Sequence, residues 1–175
     1  EGVERRHLVL TDAHSPLAPV GVRYVPVAHS GRSQSCDEEA SVISDIYTNL
    51  LKQEFVEKDG VRHTLGTEDI LVVSPYNLQV NLLKKFLPSG ARVGTVDKFQ
   101  GQEAAVVIVS MATSSGEELP RDIEFLYSKN RLNVAISRAK CLALVVASPQ
   151  LMSIGCSTPE QMALVNTLCW VKDYS

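Results

Sequence analysis

The chain has 175 residues, of which 45% are hydrophobic and 21% charged, with a formal net charge of −3. That length is enough to bury one sizeable core, and the composition is that of a folded globular domain, which excludes a disordered chain. The negative balance excludes a free-standing electrostatic nucleic-acid binder with a basic surface, so any grip on nucleic acid has to be local.

In chain order, Val20 to Val27 reads as a strand rich in β-branched residues, and Gly31 to Ser35 as a polar loop. Ser35 is the expected N-cap of a helix from Cys36 to Phe55. Glu38 lies three residues on, and Ala40, Ile43, Ile46, Tyr47, Leu50 and Leu51 recur at helical spacing. After a turn at Asp59-Gly60, the all-apolar run Ile70-Leu71-Val72-Val73 predicts a strand covered on both faces. Pro75 suits the first turn of the next helix, where its missing N–H is not needed. Leu78, Leu82, Leu83, Phe86 and Leu87 give that helix an apolar stripe, and Pro88-Ser89-Gly90 stops it. Arg92 to Val96 is a short strand, Asp97 to Glu103 a polar connection, and Ala104 to Met111 the most continuous β-type run. Asp122 to Lys140 reads as helix broken near Ser128-Lys129, Leu142 to Ala147 as a buried strand, and Pro159 to Val171 as a terminal helix.

Strands and helices alternate, and parallel neighbours need crossovers that cover both faces. The expected fold class is therefore α/β, a parallel sheet between two helical layers. The expected organisation is a connecting segment over 1–19, one domain over 20–150 and a docking helix within 151–175.

Other chemistries find little support. The four cysteines show no CxxC spacing and read as reduced thiols, hence an intracellular, cytoplasmic chain. No apolar stretch approaches the roughly 20 residues that cross a bilayer, so no membrane partner is expected. His7, His14, His29 and His63 are too dispersed for metal-ligand spacing and read as surface or loop histidines, so no metal site is expected. Asp37-Glu38-Glu39 reads as acids meeting a helix macrodipole. No GxSxG context appears. The chain starts at Glu1 rather than Met and reads as a piece of something longer.

In an open parallel sheet the ligand lies beyond the carboxyl ends of the strands, so polar residues just after buried strands are the candidates. Three stretches qualify: Ser74-Pro75-Tyr76-Asn77, the run from Thr95 to Glu103, and the helix leading from Asn130 to Lys140. Val93 to Ala112, VGTVDKFQGQEAAVVIVSMA, resembles motif V of superfamily 1B helicases. Asn130 to Lys140, NRLNVAISRAK, resembles motif VI, and Ser74 to Gln79, SPYNLQ, resembles motif IV. Together these cover the chain from about Val20 to Ala147, in the family's order.

The resemblance implies the second of two RecA-like domains, with ATP and its Mg2+ held mainly by the first, N-terminal RecA-like domain, and with single-stranded DNA or RNA as the other partner. It implies Arg138 as an arginine finger, which offsets negative charge on the transferring phosphoryl group. Arg131 lies two helical turns earlier and either assists or is a solvated helix arginine. Gly101 and Glu103 match the family's GxE on the nucleotide side. For nucleic acid, Ser74, Pro75, Tyr76, Thr95 and Lys98 are the candidates: hydroxyls after buried strands, free N–H groups at a helix start, a possible stacking ring and a cation. Ser74 serves equally well as a simple cap. No GxxxxGKS or GxxxxGKT occurs, so the chain alone is expected not to hydrolyse ATP. The readings set beside the motor are a RecA-like regulatory module without catalysis and the motor part of a helicase-nuclease.

Overall fold

The structure, a computed structural model, describes residues 6–11, 16–114, 131–153 and 159–175. In chain order its elements begin with β1 (His7–Val9), β2 (Gly21–Pro26), α1 (Asp37–Leu50), β3 (Glu54–Val56), β4 (Arg62–Thr64) and β5 (Ile70–Val73). They continue with α2 (Asn77–Phe86), β6 (Arg92–Gly94), β7 (Ala104–Ser110), α3 (Arg131–Ser137), β8 (Ala139–Ala147) and α4 (Pro159–Asp173).

Five strands form an all-parallel sheet in the order β2-β8-β7-β5-β6. Successive strand residues point to opposite faces, so the apolar runs feed two cores at once. Ile70, Val72, Val106, Ile108, Leu142 and Leu144 pack under α1 and α2, against Ile43, Tyr47, Leu50, Val80 and Leu83. Leu71, Val73, Val107, Val109 and Val145 pack on the other side against Leu132 and Ala135 of α3 and Leu168 and Val171 of α4. At about 1.5–3 kcal/mol for each fully buried aliphatic side chain, this double coverage is the main source of stability. The three-layer RecA-like α/β arrangement expected from the sequence is the one observed.

A second, antiparallel sheet, β1-β3-β4, buries Leu8 and Phe55 on the α1 side of the main sheet. Glu57, one residue past β3, binds Arg6 at 3.0 Å and Lys140 of β8 at 3.6 Å, tying the two sheets together.

Several expectations are corrected. The cap of α1 is Cys36, not Ser35: its sulfur accepts from Glu39 N at 3.4 Å. The helix stops at Leu50 rather than Phe55 because Phe55 is needed in β3, paired with Leu8 and His63. Gln53, wholly buried, makes the turn by donating to the Asn49 carbonyl at 3.1 Å and accepting from Thr11 N at 2.8 Å. Pro75 precedes α2, whose cap is Tyr76. The buried face of α2 is Gln79, Val80 and Leu83, while Leu78 is 56% exposed. The sixth strand ends at Gly94, since Val96–Phe99 is a 3-10 turn. Helix is observed over Arg131–Ser137 only, and Ala139 already begins β8; the part expected over 122–130 lies outside the described residues.

Leaving β5 the chain crosses by α2 on one face to β6, and leaving β7 it reaches β8 by α3 on the other face. The sheet order therefore reverses between the neighbours β5 and β7, and their carboxyl ends frame the crevice where such sheets place ligands.

Candidate functional site

At that carboxyl edge Ser74 follows β5 wholly buried, and its Oγ accepts from Tyr76 N at 3.4 Å. In this conformation its hydroxyl serves the local turn. Pro75 and Tyr76 are half-buried, and the tyrosine ring packs against the α3 and α4 core. Its hydroxyl is hydrogen-bonded to Thr113 Oγ1 at 2.9 Å, and Thr113 donates to the Ser33 carbonyl at 2.6 Å. Burial pushes Tyr76 up to about 12, so it stays a neutral phenol. This bond bridges the loops after β5 and β7, across the reversal point. Thr95 follows β6, half-buried, with its carbonyl accepting from Lys98 N at 3.1 Å. Lys98 is exposed but folds back: Nζ donates to the Val93 carbonyl at 3.1 Å and lies 5.5 Å from the centre of the Phe99 ring. Gly94 leaves room for this packing, since a Cβ would lie 2.5 Å from Lys98 Cδ and 3.1 Å from the Phe99 ring and both side chains would have to shift.

The amino edge holds the other group. Ala104 opens β7 and pairs with Ala139, which opens β8, and Ala104 N donates to the Arg138 carbonyl at 3.1 Å. Glu103 and Arg138, the residues just before that pair, are therefore side by side at the start of adjacent strands. Glu103 is exposed and Arg138 half-buried. Helix α3 passes into β8 through Arg138 alone, which fixes where that side chain leaves the backbone. Gly101 turns the chain into β7 at φ 78, a left-handed conformation that costs an L side chain about 1–2 kcal/mol. Gln102 is drawn aside by a hydrogen bond from Arg92. Arg131, seven residues and about 10 Å of helix from Arg138, sits at the other end of α3. It is buried and ion-paired with Asp97 of the Val96–Phe99 turn, so the structure groups it with Thr95's turn rather than beside Arg138.

Residues 7–150 match the family model described as AAA domain. This chain is a superfamily 1B helicase domain. It is 35% identical over 145 residues to the RNA helicase Mov10l1 of Homo sapiens, an alignment covering 78% of this chain and 11% of that protein. It is 30% identical over 155 residues to the putative helicase MOV-10 of Gallus gallus, covering 75% and 16%. To the DNA replication ATP-dependent helicase/nuclease JHS1 of Arabidopsis thaliana it is 29% identical over 138 residues, covering 74% and 10%. The helicase domain thus spans only 10% to 16% of the length of these three relatives. Among the described residues no helix is long and apolar enough to cross a membrane.

Sequence reasoning missed one part of this helicase domain, a buried polar cluster at the carboxyl edge. His29 lies in the loop after β2 as one of its two expected readings had it, but it is buried rather than at the surface. Its Nε2 lies 2.8 Å from Glu39 Oε1 and its Nδ1 2.6 Å from Ser114 Oγ. The other Glu39 oxygen accepts from Ser110 Oγ at 2.6 Å and from Ala112 N at 2.9 Å. Ala112 has φ 65, and the carboxylate holds it in that strained conformation. Gln79 joins in, donating to Ser110 Oγ at 2.9 Å and accepting from Cys36 N at 2.8 Å. Burial, then the neighbouring Glu39 charge among lesser causes, pushes the Cys36 thiol up to about 12 despite the hydrogen bond from Glu39 N. A glutamine and an acid, each in the first turn of its helix, look like surface residues in a sequence, and the distant strand β7 supplies their shared partner Ser110.

Proposed function

We propose that this helicase domain is the second, C-terminal RecA-like motor domain of an ATP-dependent nucleic-acid helicase or translocase. The observation that carries the reading is the pairing of Ala104 with Ala139, which sets Glu103 beside Arg138 at one edge of the sheet. An acid and a guanidinium at one edge suit a nucleotide held by a facing domain. Glu103 and the Gly101 backbone take the ribose side, and Arg138 offsets the charge that builds on the γ-phosphoryl group. ATP and Mg2+ are held mainly by the N-terminal RecA-like domain, so this chain alone is inactive.

Single-stranded DNA or RNA lies along the opposite edge, contacted through its backbone by Thr95, Lys98 and the lead into α2 at Pro75 and Tyr76, which the buried Ser74 hydroxyl holds from within. Contacts of that kind read phosphates rather than bases and tolerate a net negative charge. The ion pair from Arg131 to Asp97 supports a link between the edges, since α3 carries Arg131 at one end and leads into Arg138 at the other. Closing of the nucleotide cleft then moves the turn that follows Thr95.

In the full-length protein, Arg138→Ala is expected to lower ATP turnover on the order of 1,000-fold while leaving single-strand binding intact. Steady-state hydrolysis and a filter-binding titration read the two effects. Turnover near that of the unsubstituted protein would remove the arginine-finger assignment.

A further inference from the structure

The loop after β2 and the first turn of α1 bring three different donor types to one buried point. His29 Nε2, Cys36 Sγ and a Glu39 carboxylate oxygen all lie within 4.8 Å of one another, and all three residues are buried. We propose that His29, Cys36 and Glu39 form a binding site for one zinc-class divalent ion. This inference stands apart from the helicase reading, since it uses none of the residues assigned to nucleotide or nucleic acid.

The donor chemistry fits. An imidazole, a thiolate and a carboxylate are the three ligand types that zinc takes, and three protein ligands leave a fourth position for water or for another donor. The charges also fit. One thiolate and one carboxylate neutralise a dication, which suits a place where the His29 and Glu39 side chains are 0% exposed. Each ligand is already held from behind, as metal ligands usually are. Ser114 Oγ, 2.6 Å from His29 Nδ1, can accept a hydrogen bond from a proton on Nδ1 and so leave Nε2 for the ion. Ser110 Oγ and Ala112 N hold the far oxygen of Glu39 at 2.6 and 2.9 Å. The amide of Glu39 points at Cys36 Sγ from 3.4 Å.

On loading, the ion replaces the direct 2.8 Å contact between His29 Nε2 and Glu39 Oε1, the imidazole proton moves to Nδ1, and the thiol proton leaves to solvent. Since the thiol gives up its proton on loading, metal affinity is expected to rise with pH.

The whole chain is titrated with Co2+ as a spectroscopic substitute for Zn2+. One equivalent is expected to bind with a near-ultraviolet thiolate-to-cobalt band and visible bands of four-coordinate cobalt, all removed by one equivalent of Zn2+. Cys36→Ser, which keeps a capping oxygen for α1, is expected to lose the near-ultraviolet band. Ser114→Ala, which takes away the second partner of His29 and an acceptor of the Arg32 amide but none of the three ligands, is expected to weaken Zn2+ binding about 10- to 100-fold. X-ray absorption on a chain carrying Cys141→Ala, Cys156→Ser and Cys169→Ser, which leaves Cys36 the only thiol, is expected to give one sulfur at about 2.3 Å from zinc. A chain that takes up no cobalt, a band that persists in folded Cys36→Ser, or a zinc shell without sulfur in that background overturns the proposal.

Discussion

Tyr47 is wholly buried on α1, and its hydroxyl has no hydrogen-bond partner among the described residues. An unpaired buried hydroxyl costs about 1–3 kcal/mol in desolvation, so Tyr47→Phe is expected to hold stability or raise it by up to about 1 kcal/mol. A urea titration checks this, and a clear drop in midpoint would reveal an unseen partner. Glu38 sits in the opposite environment, exposed, with Arg32 donating to it at 3.0 Å. Chiefly through that bond its carboxyl is held down at about 2, against an ordinary 4.5. The sign follows: its contribution to stability is complete above about pH 4.5 and is lost as pH falls through about 2. In Arg32→Ala the Glu38 titration, followed by carbon-13 NMR, is expected to move up toward the ordinary carboxylate range. Whether a residue could be read from the chain depended on how far away its partners lie. The candidates Thr95, Gly101, Glu103 and Arg138 came from stretches that resemble helicase motifs V and VI, each lying beside an apolar run. The roles of His29 and Glu39 were not legible, because their partners Ser114 and Ser110 lie 85 and 71 residues away.

At the scale of elements, the ion pair of Asp97 with Arg131 joins the turn after β6 to the start of α3. The guanidinium is buried, so removing Asp97 takes one compensating charge away from a cation in a poor solvent. Asp97→Ala is expected to cost about 1.5–3 kcal/mol in chemical denaturation. A loss within error of zero would mean that other groups satisfy Arg131. The strands were legible as elements because Ile70 to Val73 and Ala104 to Ser110 are uninterrupted apolar runs. The end of α1 was not, since helical spacing continues through Leu51 and gives no warning that Phe55 pairs with Leu8, 47 positions earlier in the chain. The stripe of α2 misled for a related reason. Gln79 takes an inward position because it supplies hydrogen bonds to Cys36 and Ser110, and this turns Leu78 out to solvent.

At the scale of the molecule, alternation of strands and helices was enough to give a parallel sheet with both faces covered. The small antiparallel sheet was hidden, because β1, β3 and β4 are each three residues long and too short to show a period. The main sheet acts as a party wall between two rooms. Ile70 and Leu71 are bonded neighbours, yet one looks into each room. Ile70→Val is expected to cost about 0.5–1.5 kcal/mol and Leu71→Ala about 2–5 kcal/mol. Sharing no packing partners, the two losses should sum to within about 0.5 kcal/mol in the double variant. A larger mismatch, read by equilibrium unfolding, would mean that the wall bends and that damage done on one side is felt on the other.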